Sequence, residues 1–219
     1  MADQVKYPGR LIAVDGSRGK DTAAAADAIV ERMRGSGFEC AISRWDASGL
    51  FGELAATARG DRNISMRTLA LVYASDLAFR LRWEIRPVLE AGGVVVAAPY
   101  IETAIAFGAG CGLSEEWTRQ LLRLAPPADV RVRPDERKVG QPWKRRIDRG
   151  FPEYCAMMLD GAAPRKGGRH EMMRLLDQAR GRKIYRMSPE GIDAIAAAIT
   201  GSRPGEPRRS ASRPRSGRK

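Results

Sequence analysis

The chain has 219 residues, 43% of them hydrophobic, which is enough for one domain with a sizeable core. Its net charge is +12, and no apolar run approaches the ~18 residues needed to span a bilayer, so no membrane contact is expected. Cys40, Cys111 and Cys155 are odd in number and far apart, which excludes a disulfide framework or a paired-cysteine metal site and predicts buried thiols.

The opening stretch MADQVKYPGR lacks the apolar segment of a secretory signal, so a cytoplasmic location is expected. An apolar strand over residues 10–15 then runs into a short loop and a helix over 22–34. Strand, glycine loop and helix form the setting of a phosphate-binding loop. In a regular loop, GxxxxGK[ST], backbone N–H groups and the helix N-terminus cradle phosphate, the lysine neutralises it and the hydroxyl holds magnesium. Here Gly19 and Lys20 are followed by Asp21, and Val14 stands where the first glycine is expected. Gly16, Ser17, Arg18, Gly19, Lys20, Asp21 and Thr22 are the candidate nucleotide-binding residues, with Lys20 the candidate catalytic cation. Asp15 is a candidate to hold magnesium through water, or else to cap the turn. Asp21 opposes phosphate binding, because a carboxylate at a helix start competes for the same N–H groups.

Further strands are expected over 39–43, 94–98, 130–132 and 183–187, and helices over 51–59, 65–90, 114–123, 170–179 and 189–200. On the long helix Leu69, Val72, Tyr73, Asp76, Phe79 and Trp83 recur at three- and four-residue steps, which puts Asp76 on the inward stripe. A buried carboxylate needs partners. Asp76 is either an acceptor-binding group or a core residue bonded to backbone or to Arg44. In the basic segment 135–150, a helix begun by Pro142 would put Arg145 and Arg149 on one face, able to close on a triphosphate or grip a nucleic-acid phosphate. The alternative is a solvated basic face with Trp143 beneath. His170 is the single histidine, which argues against a Ser-His-Asp triad or a histidine zinc site, and no metal site is expected.

Alternating strands and helices predict an α/β fold of three layers, with a mainly parallel five-stranded sheet and ligands at the carboxyl ends of its strands. Residues 1–201 form the expected domain. Residues 202–219 carry seven Lys or Arg and one Glu, half of the net charge, and no apolar residue larger than Ala. They are expected to be a disordered basic tail that either solubilises the protein or contacts nucleic acid nonspecifically.

LIAVDG, RGSGFECAISRW, GLFGELAA, LVYASDLAFRLRWEIRPVLEAGGVVVAAPY and YIETAIAFGAGCGLSEEW occur in an order that resembles the thymidylate kinases, P-loop nucleoside monophosphate kinases. The resemblance covers residues 9–124 and, more weakly, 151–200. It implies a P-loop kinase-like fold, ATP and Mg2+ as cofactors, a nucleotide partner such as dTMP, a homodimer paired through the long helices, and acceptor contacts at Arg44, Asp76 and Tyr100. The catalytic positions depart from the family pattern. Aligned without gaps, the family lysine falls on Thr22 and its hydroxyl on Ala23; with a two-residue deletion, Lys20 and Thr22 take those places in a shortened loop. The family's Asp-Arg-Tyr is Ala98-Pro99-Tyr100, its Asp-Arg is Asp76-Leu77, and its Arg-Glu-Pro is Arg44-Trp45-Asp46. Three readings follow: a divergent ATP-dependent kinase of dTMP or a related nucleoside monophosphate, a catalytically silent homologue that binds a nucleotide or a partner protein, and a nucleic-acid-associated protein acting through its tail.

Overall fold

A computed structural model of the protein describes residues 6–58, 64–134, 150–159, 167–178 and 189–201. Its sheet is built from β1 (Arg10–Val14), β2 (Cys40–Arg44), β3 (Val94–Ala98) and β4 (Val130–Val132), in the order β2-β3-β1-β4 with every pair parallel. Strand β3 reads VVVAA and is buried throughout, the pattern of a central parallel strand covered on both faces. Successive side chains alternate between those faces. Leu11, Ala13, Val95 and Ala97 enter one core, while Ile12, Val14, Val94, Val96 and Ala98 enter the other.

The second core is closed by α1 (Gly19–Gly35), through Ala25, Ala26, Ile29, Val30 and Met33, and by α9 (Pro189–Thr200), through Ile195, Ala196 and Ile199. The first, larger core takes residues from α2 (Leu50–Ala58), α3 (Met66–Arg80), α4 (Arg86–Glu90), α5 (Glu102–Gly110), α7 (Phe151–Met158) and α8 (Gly168–Gln178). The short α6 (Glu115–Leu121) packs on α5. The three-layer parallel α/β architecture therefore holds, with four strands among the described residues where five were expected. The fifth candidate, 183–187, lies outside them.

The long helix begins where Ser65 caps it by accepting from the Thr68 N–H. Between α3 and α4 lies a π-helical segment, Leu81–Ile85. Leu69, Tyr73, Leu77, Leu81, Ile85 and Leu89 are all buried, at a uniform step of four. An α-helix turns about 100° per residue, so each such step overshoots a full turn by about 40°. A wider turn advances less per residue and returns the stripe to the core. Phe79 and Trp83, expected on the inward face, are instead 39% and 62% exposed, because that face follows the step of four from Leu69. No helix among the described residues is long and apolar enough to cross a membrane.

Candidate functional site

Only Asp15, Gly16, Ser17 and Arg18 separate the end of β1 from the first turn of α1. This connection sits at the carboxyl edge of the sheet, where ligands bind in parallel α/β folds, and its groups are bonded within the protein. The Gly16 N–H donates to Thr103 Oγ1 at 3.0 Å. Asp15 Oδ1 accepts from the Tyr100 N–H at 3.0 Å, the Thr103 N–H at 3.0 Å and the Thr103 hydroxyl at 2.8 Å. Burial pushes the Asp15 carboxyl above its ordinary value; the Thr103 and Tyr100 bonds oppose the shift and the nearby Glu102 charge adds to it. The Thr22 hydroxyl turns back onto the carbonyls of Gly19 and Arg18 at 2.8 and 3.2 Å. Arg18 pairs with Asp21 at 3.4 Å, while Lys20 is exposed.

These residues do not fit a triphosphate with magnesium. A Cβ at Gly16 would lie 3.0 Å from the Thr22 methyl and 3.4 Å from Pro134 Cδ, so at Gly16 the loop backbone packs directly on the chain's own atoms. Among the described residues no cluster of three His, Cys, Asp or Glu is placed to hold a metal ion.

Beside this loop lies the turn after β2. Asp76 is fully buried and accepts from the Asp46 N–H at 3.0 Å, the Ser48 N–H at 2.9 Å and the Ser48 hydroxyl at 2.8 Å. It therefore holds the 46–48 turn, in which Asp46 takes a left-handed conformation, φ 58°, and accepts from the Phe51 N–H. Arg44 reaches away from Asp76 to pair with Asp27 on α1. Trp45 packs edge-on against Phe51, Phe151 and Tyr154 with centroids 5.0, 6.2 and 5.6 Å apart. Tyr100 is buried, and its hydroxyl donates to the Pro126 carbonyl at 2.8 Å. Burial pushes its phenol upward, with the Arg80 charge opposing.

The loop candidates, Asp76 and Tyr100 thus gather at one edge of the sheet, largely as internally bonded groups. Arg145 and Arg149 lie outside the described residues. Sequence reasoning passed over Arg80, which has 0% exposure in the middle of this edge. Its Nε donates to Ser43 Oγ at 2.9 Å, and its Nη2 donates to the carbonyls of Ser43 and Pro99, each at 3.0 Å. Among the described residues Nη1 is buried without a hydrogen-bond partner. The available signal was its place one helical turn after Asp76, on the same side of the helix.

No protein-family model matches the chain. A probable thymidylate kinase of Pyrococcus abyssi is 28% identical over 131 residues, 57% of this chain and 63% of the relative. The thymidylate kinase of Thermomicrobium roseum is 28% identical over 52% of this chain and 56% of its own length. That of a Synechococcus strain is 32% identical over 52% and 57%. The chain spans somewhat more than half the length of these curated relatives, and over that stretch it is similar to proteins named thymidylate kinase.

Proposed function

We propose that the protein is a member of the thymidylate kinase family that binds a nucleoside monophosphate at the carboxyl edge of its sheet without serving as an ATP-dependent kinase. The observation that carries this reading is the β1–α1 connection. Phosphoryl transfer depends on cations and backbone N–H groups placed around the transferring phosphate. Here the Gly16 N–H is held by Thr103, Arg18 is paired with Asp21, and the Gly16 backbone packs closely on Thr22 and Pro134. Leu77 and Pro99 stand where the family places two arginines. Similarity to proteins named thymidylate kinase supports the nucleotide as ligand. Residues 1–201 form the nucleotide-binding domain in this reading, and ATP with Mg2+ is retained as the pair to be assayed against it.

A thermal-shift screen of nucleoside monophosphates and triphosphates, followed by a coupled turnover assay, tests the proposal. A monophosphate at ~100-fold excess over its Kd adds about 2.7 kcal/mol to stability. ATP should bind no tighter than the high micromolar range, about −5 kcal/mol. Turnover of dTMP with ATP at an ordinary enzymatic rate would sink the reading.

A further inference from the structure

We propose that Arg80 is the anion-holding residue of the carboxyl edge, taking the phosphate of a nucleoside monophosphate on its free Nη1. This rests on the nucleotide reading above. A guanidinium removed from water is costly unless it is paired and fully bonded, and an apolar residue of similar volume is often as good for stability. Arg80 has no exposed surface, yet no carboxylate of a described residue lies within ion-pair distance of it. Its contact with a counter-charge is indirect: Ser43 Oγ receives its Nε and itself donates to Glu84 Oε2 at 2.6 Å.

The rest of the neighbourhood fixes the group without completing it. Two of its three nitrogens are tied to the ends of β2 and β3 through Ser43 and Pro99, which leaves Nη1 as a pre-oriented, unfilled donor. Two buried carboxylates share the region, because Asp15 and Asp76 act with Arg80 on the Tyr73 phenol. Both accept backbone N–H bonds from the Tyr100–Thr103 and Asp46–Ser48 segments, so each has donors of its own. The π-helical segment starts at the next residue, and such bulges recur at functional sites. A phosphate has the geometry and charge to complete a guanidinium, and a charge-assisted bond of this kind is stronger than a neutral one. Because Nη1 is fully buried, binding includes a local opening of this edge.

Titration calorimetry with thymidine monophosphate, thymidine and inorganic phosphate on the full chain tests this. The wild type should prefer the monophosphate to the nucleoside by about 10- to 100-fold, the range of one charged hydrogen bond. Arg80→Met should abolish that preference, the monophosphate then binding no tighter than thymidine. Should no nucleoside bind in any form, the nucleotide reading fails on its own, and inorganic phosphate still decides on Arg80: a rise in melting temperature seen in the wild type and lost in Arg80→Met supports it. A monophosphate preference that survives in Arg80→Met, or phosphate acting alike on both proteins or on neither, overturns the proposal and leaves Arg80 as a counter-charge to Asp15 and Asp76. Should Arg80→Met not fold, the Arg80 Nε–H resonance, assigned by its loss in Arg80→Lys, must move on phosphate addition; a stationary signal overturns it equally.

Discussion

Asp15 carries a buried charge whose pH dependence has a definite sign. Burial raises its folded-state pKa above 3.8, so the fold favours the neutral acid. The stability tied to this group is full below 3.8 and declines as the pH rises through the folded value. Asp15→Asn keeps an oxygen able to accept the three bonds from Tyr100 and Thr103 and removes the charge. Urea denaturation across a pH series should find this variant at least as stable as the wild type near neutrality, with any advantage shrinking in acid. Asp76 is the opposite case, since it is the acceptor for two backbone N–H groups and a hydroxyl. Asp76→Ala strands those donors and should cost about 2–4 kcal/mol in the same measurement. Its burial was legible in the spacing of the long helix. Of the two partners the sequence left open, backbone and Arg44, the structure takes backbone N–H groups, and the choice was not legible because Arg44 finds Asp27, a contact between elements that no local pattern encodes.

At the scale of elements, the strap from β1 to α5 combines backbone N–H bonds to Asp15 with the Thr103 side chain. The Thr103 hydroxyl accepts from Gly16 and donates to Asp15, joining the loop after β1 to the first turn of α5. Thr103→Val keeps the shape and removes both bonds. The loss should be about 1–3 kcal/mol by thermal or urea unfolding, and Thr103→Ser should restore most of it. Helix α5 itself was not legible. Its sequence, ETAIAFGAG, is buried on nearly every side, so it has no polar face to produce a helical period, and Gly108 and Gly110 argue against a helix locally. Gly110 is nevertheless required there, since a Cβ would lie 2.7 Å from the Gly168 carbonyl oxygen of α8. By contrast, β3 and β4 were read to the residue and α9 likewise, because valine-rich apolar or alternating segments and an amphipathic stretch need no tertiary partner to be recognised.

For the whole molecule, the positive charge is unevenly spread along the sequence. Half of the +12 belongs to residues 202–219, which offer nothing apolar for a core to bury. Deleting them should leave the melting temperature unchanged, and a fall of several degrees would show that they pack. Any affinity for DNA or RNA should drop steeply with salt and vanish with the same deletion. The sequence made the layered architecture plain through its alternation of elements. It could not reveal that the loop at the sheet edge closes on itself, since that depends on Thr103 and Pro134 arriving from more than eighty residues away.

Trp45, wedged edge-on among Phe51, Phe151 and Tyr154, gives this chain an optical handle on the carboxyl edge of its sheet. An indole held in an asymmetric ring of aromatics has strong near-ultraviolet circular dichroism, and Trp45→Phe separates its band from those of the other three tryptophans. Because Trp45 adjoins the turn that Asp76 anchors, its dichroic band reports on that turn directly. A ligand that opens the edge should change the band in amplitude before the helical signal changes at all, which separates local rearrangement from unfolding in a single spectrum.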